Sequence, residues 1–173
     1  GDPQAADDGA LWAGLDAVDL RRRFAAGDLP DLEFEAVVFR AVYPNWNFVR
    51  FRDEDLDGFA ASFASVPFLR NHDLGDIAAR DGIVLAAWME GDAMHARIKL
   101  TTPEGIRDFL AGRIDRFSVS WFRHSPALCS VCGEDWLHSD CAHTPGATYR
   151  VHGEAVRCEL VQVEPVGREI SAV

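Results

Sequence analysis

Apolar residues along this chain fall into short runs whose period changes several times. Leu11, Leu15 and Val18 recur at helical spacing with Arg21, Arg22 and Arg23 behind them, which predicts an amphipathic helix over 11–25 that ends near Gly27. Leu29-Pro30-Asp31 breaks it, and the polar residues 1–10 before it are expected to be disordered. Phe34, Val37, Val38, Phe39 and Val42 predict a strand over 32–42, followed by a turn at Pro44-Asn45-Trp46-Asn47. Asp53 is a candidate cap for a helix to about Ser65, with Leu56, Phe59, Ala60 and Phe63 on its apolar face. Two β-rich runs, Ile83 to Met89 and Ala93 to Leu100, flank Glu90-Gly91-Asp92 and predict a hairpin. Thr102-Pro103 opens a helix whose buried face is Ile106, Phe109 and Leu110 and whose end is Gly112. Arg116 to Phe122 reads as a strand, 123–149 as a loop rich in Cys, His and Gly, and 155–163 and 168–173 as two last strands. Many short strands, about three helices and no regular strand–helix alternation predict an α+β domain built around a β-barrel.

Composition narrows this picture. At 173 residues, 48% hydrophobic and 26% charged, the chain reads as one globular domain over 1–173. No apolar stretch reaches the roughly 18 residues that a membrane helix needs, and the first residues lack the basic region and apolar run of a secretory leader. A net charge of -11 opposes binding to nucleic-acid phosphate or anionic lipid, so neither nucleic acid nor membrane is expected as a partner.

Serine attacks an amide only when a base takes its proton, and the base, usually His, needs a third group to fix its tautomer. Three separated segments supply these types. They are Val66-Pro67-Phe68-Leu69-Arg70-Asn71-His72-Asp73, then Gly112-Arg113-Ile114-Asp115-Arg116-Phe117-Ser118-Val119-Ser120-Trp121-Phe122, then Arg168-Glu169-Ile170-Ser171-Ala172-Val173. Strand alternation puts Ser118 and Ser120 on one face, so pattern alone does not separate them. Asp73 competes with Glu169 as the third member, but neighbours in a strand point opposite ways, which ranks it lower.

In order and rough spacing, these segments resemble the prohead (capsid-maturation) serine proteases of tailed phages over residues 45–173. In that family an Asn-His-Asp-like segment, a hairpin, a helix ending in Gly, a Phe-Ser-Val strand and a closing Glu-containing strand follow one another. The herpesvirus assemblins look like distant relatives. The resemblance implies an assemblin-like β-barrel flanked by about three helices. It implies Ser118 as nucleophile, His72 as general base and Glu169 as the group that orients His72. Ser120 stands where the family often has Gly. The activity implied is a serine endopeptidase that cleaves scaffold and capsid proteins inside an assembling procapsid in the host bacterial cytoplasm. A homodimer is implied by analogy with assemblins.

Four cysteines remain, and three of them, Cys129, Cys132 and Cys141, fall within thirteen residues. Without an export signal, such clustering points to metal rather than disulfides. Cys129-x-x-Cys132 with Cys141-x-His143 gives the three thiolates and one imidazole of a closed structural zinc site, and Gly133 suits the turn of a knuckle. The run also resembles an insertion seen in some prohead proteases, so 123–149 is expected to be a zinc-binding insertion. His138 and Cys158 are the substitute ligands. His152-Gly153-Glu154 follows the Cys pair, the reverse of the zinc-deaminase order, and four protein ligands leave no position for a catalytic water. The rival to the protease is a non-catalytic, zinc-stapled capsid assembly or scaffold module on the same fold.

Overall fold

The computed structural model describes residues 32–173 together with Arg22 and Ala26. The helix expected over 11–25 and the disorder expected over 1–10 lie outside the described residues, those two positions aside. The strands are β1 (Leu32–Arg40), β2 (Val49–Phe51), β3 (Pro67–Arg70), β4 (Arg80–Glu90), β5 (Ala93–Leu100), β6 (Phe117–Trp121), β7 (Ala127–Cys129), β8 (Thr148–Val151), β9 (Glu154–Arg157), β10 (Leu160–Gln162) and β11 (Gly167–Ala172). Two α-helices are described, α1 (Leu56–Ala61) and α2 (Pro103–Leu110). The described residues are therefore mixed α+β, with more strand than helix.

Six strands form one sheet in the order β1-β5-β4-β3-β11-β6, curled into a half-barrel. Its edges approach but do not pair. Phe34 of β1 and Phe117 of β6 have ring centroids 6.1 Å apart, and a cleft of about 560 Å3 opens between the two edges. All neighbours run antiparallel except β3 and β11, which run parallel with Arg70 opposite Ala172. The concave side is a core of aromatic and aliphatic residues. Phe34 stacks on Phe109 at 4.3 Å and meets Phe68 edge-on at 6.2 Å, and Phe51 stacks on Phe59 at 4.8 Å. Gly82 of β4 has no room for a side chain: a Cβ there would lie 2.1 Å from the Lys99 carbonyl oxygen of β5. A second sheet, β2-β10-β7, and the hairpin β8-β9 make up the remainder.

Several expected elements have different bounds. The hairpin of β4 and β5 forms, with Glu90 opposite Ala93. Helix α2 begins as expected, with the Gly105 N–H donating to Thr102 Oγ1 at 3.1 Å. The helix expected from Asp53 is shorter. Residues 53–55 form a 3-10 turn with no side-chain cap, and α1 stops at Ala61. Beyond it Ser65 adopts φ +69 and donates its N–H to Val84 on β4, which the helix could not do. The strand expected over 155–163 is two strands, because Cys158 and Glu159 turn to pair with Ala147 and Ser130. Strands β2 and β7, three residues each, are too short to leave a periodic signal.

Phe68 is wholly buried and anchors β3 to the aromatic core. Phe68→Ala is expected to cost about 3–5 kcal/mol of stability, read as a lower urea midpoint. An unchanged midpoint would mean that β3 is not held by that packing.

Candidate active site and candidate metal centre

The parallel pairing of β3 with β11 decides what stands beside what. With Arg70 opposite Ala172, the residues just after β3 fall beside the end of β11. The chain turns there through two consecutive left-handed residues, Asn71 (φ +47) and His72 (φ +58). Asn and His enter this region more readily than most side chains, but two such residues in succession are costly, so the turn needs outside support. It comes from β11. The Asn71 N–H donates to the Ala172 carbonyl at 2.9 Å, and the His72 N–H donates to Ser171 Oγ at 3.1 Å.

On β11, Ile170 belongs to the aromatic core, so Glu169 and Ser171 face the other way. Both are wholly buried. His72 Nδ1 lies 2.5 Å from Glu169 Oε1, a contact between residues 97 positions apart. Ser171 Oγ donates to the other carboxylate oxygen, Oε2, at 2.5 Å. Each carboxylate oxygen thus has a donor, as a buried carboxylate requires. The contact assigns His72 a tautomer: Nδ1 carries the hydrogen toward Glu169, and Nε2 is left as the acceptor. Nε2 makes no hydrogen bond among the described residues, and the side chain is 40% exposed.

Strand β6 lies on the far side of β11. Ser118 is directly opposite Ser171, and Ser120 is opposite Glu169. Opposed residues of an antiparallel pair share a face, so both hydroxyls rise on the side of the carboxylate. Both serines are half-buried, and neither hydrogen-bonds to the His72 ring. Asp73 is elsewhere. Its Oδ1 accepts the N–H groups of Gly75 and Asp76 at 3.0 Å each and caps the following turn. Sequence reasoning missed Ser171. The signal was available, since a hydroxyl two residues beyond Glu169 in a strand shares its face.

The cysteine segment converges as its spacing implied. One ligand atom from each of Cys129, Cys132, Cys141 and His143 lies within 4.8 Å of every other. Cys132 and Cys141 Sγ are 3.6 Å apart, and Cys141 Sγ is 3.6 Å from His143 Nδ1. A tetrahedral zinc with Zn–S of about 2.3 Å would space its ligand atoms by about 3.8 Å, so the donor set fits that ion. The turn carrying the Cys pair closes with the Gly133 N–H on the Cys129 carbonyl at 2.8 Å, with Gly133 at φ +78. The loop beyond is fixed by Trp136 Nε1, which donates to the His143 carbonyl at 3.0 Å, and by Tyr149, whose ring meets His143 edge-on at 4.6 Å.

The substitute ligands fare differently. His138 pairs with Asp135 at 2.8 Å and has no place in the cluster. Cys158 is wholly buried with its Sγ 3.7 Å from that of Cys129. Burial first, then its bond with Cys129 and the neighbouring thiols, push the Cys158 thiol up to about 12. Burial also raises Cys129, but the N–H groups of Cys132 and Val131 and the adjoining thiols outweigh it and bring that thiol below its ordinary range. Of the two, Cys129 is the thiolate donor and Cys158 its packed neutral neighbour.

The purified protein is expected to carry about one zinc per chain by elemental analysis. Cys132→Ser should lose it, and His138→Ala and Cys158→Ser should keep it. Retention by Cys132→Ser, or loss only in Cys158→Ser, would contradict this ligand set. No protein-family model, curated protein or solved structure matches this chain, so the chemistry of both clusters is read from their own residues.

Proposed function

We propose that the chain is a serine endopeptidase in which His72, oriented by Glu169, activates Ser118. The observation that carries this reading is the His72–Glu169 contact. A solvent-reachable imidazole is held through Nδ1 by a buried carboxylate, with Nε2 open and two serines on the same face. That is the geometry of a general base awaiting a hydroxyl, and such bases often sit loosely until substrate is bound. Ser118 is preferred over Ser120 because it lies opposite Ser171, the residue on which the His72 backbone rests.

The chemistry is acyl transfer. Ser118 Oγ attacks the scissile carbonyl carbon as its proton passes to His72 Nε2. The imidazolium is stabilised by Glu169, and the proton then goes to the leaving amine. Water repeats the sequence on the acyl-enzyme, with His72 again as base. The half-barrel and the order of the three segments support the fuller reading suggested by the prohead protease resemblance. In that reading the fold is the assemblin-like barrel, the substrates are scaffold and capsid proteins of a phage head, and the protein works as a homodimer within the procapsid in the bacterial cytoplasm. Zinc held by Cys129, Cys132, Cys141 and His143 would be structural, since four protein ligands fill its coordination. It would fix the loop that follows the nucleophile strand.

Treatment with a fluorophosphonate probe and peptide mapping tests the reading. Wild type should be labelled on Ser118, and Ser118→Ala should abolish labelling. His72→Ala and Glu169→Gln should each slow it by roughly 100-fold or more. Labelling on Ser120 instead would move the nucleophile by one strand repeat. A folded, zinc-loaded protein that neither labels nor cleaves itself would leave the assembly-module reading in its place.

A further inference from the structure

Ser171 is a buried hydroxyl whose two side-chain hydrogen bonds both go to the site. It donates its one hydrogen to Glu169 Oε2 at 2.5 Å and accepts the His72 N–H at 3.1 Å. Glu169 Oε1 in turn meets the His72 ring at 2.5 Å. The three groups close a ring: Ser171 hydroxyl to Glu169 carboxylate, carboxylate to imidazole, and the imidazole's own backbone back to the hydroxyl. Two features make this more than a filled hydrogen-bond valence. The His72 N–H belongs to a left-handed residue that its neighbours have to hold in place, and the second oxygen of the wholly buried Glu169 is met by this hydroxyl.

We propose that Ser171 is a positioning residue of the active site, a clamp that sets the carboxylate and the histidine backbone with one hydroxyl. Its catalytic consequence rests on the protease reading above. Without the hydroxyl, Glu169 can rotate about its last bond and the His72 N–H loses its acceptor. The imidazole is then no longer held in one orientation by the carboxylate. The clamp acts through other residues and does not touch substrate.

The test uses the full chain with Ser171→Ala, Ser171→Thr and Ser171→Cys. The rate and pH profile of fluorophosphonate labelling are measured beside thermal midpoint and zinc content. The 15N–1H spectrum of the His72 ring is recorded on the same samples. Ser171→Ala should label at least about 10-fold more slowly and change the shape of the pH profile while keeping its zinc. Ser171→Thr keeps the hydroxyl and should restore most of the rate. Ser171→Cys keeps the volume with a weaker donor, should fall between, and replaces Thr if the extra methyl does not fit. In the ring spectrum the Nδ1–H signal of His72 should move or broaden in Ser171→Ala and return in Ser171→Thr.

If wild type labels and Ser171→Ala labels within about twofold of it with the same pH profile, the clamp is overturned and the protease reading stands. If wild type does not label, the protease reading falls and the ring spectrum decides the clamp. A displaced Nδ1–H signal in Ser171→Ala supports it, and an unchanged one overturns it.

Discussion

A carboxylate enclosed on a sheet face must find donors inside the protein, because its desolvation is otherwise unrecovered. Glu169 is such a group, wholly buried on β11, and both its oxygens are met by single, short contacts. Much else follows from that requirement. Ser171 on the same strand supplies one donor to the carboxylate, and His72 in the turn after β3 supplies the other. This draws His72 over β11 and fixes which ring nitrogen faces inward. It also leaves the other nitrogen without a hydrogen-bond partner among the described residues, while Ser118 and Ser120 of β6 share the face of the carboxylate.

The fold supplies the means. Parallel pairing of β3 with β11 brings the last residues of the two strands side by side, so the turn after one can rest on the end of the other. The end of β3 is fixed in its turn. Arg70 forms a bidentate pair with the buried Asp81, and Thr102 at the start of α2 donates to the same carboxylate at 2.6 Å. On the opposite flank, Trp121 Nε1 at the end of β6 donates to Gln162 Oε1 of β10 at 3.1 Å. β10 pairs with β7, which carries Cys129, so the cysteine cluster sits on a strand connected to the exit of the serine strand. The two clusters are thereby parts of one frame.

How much of this could be read from sequence depended on length and on locality. The β4–β5 hairpin and the cap of α2 announce themselves through turn residues and alternation, and they formed where expected. The cysteine cluster was legible because its ligands crowd into fifteen residues. Strands β2 and β7 were not, since three residues give no period. The early stop of α1 was also hidden, because it depends on Ser65 reaching Val84 across the fold. At the site, the residue types of Ser118, His72 and Glu169 stood out only when taken in order. The His72–Glu169 contact and the place of Ser118 on the same face are set by the register of β11 against two other strands, and no local pattern encodes a register. Ser171 passed unnoticed because a serine in a strand is ordinary until its partners are known.

The most direct measurement is a crystal structure of the fluorophosphonate-treated protein. The account predicts phosphorus on Ser118 Oγ, His72 Nε2 facing the adduct within hydrogen-bond reach, and Nδ1 still on Glu169 Oε1. A His72 ring turned away from Glu169, or phosphorus absent from the serines of β6, would contradict it.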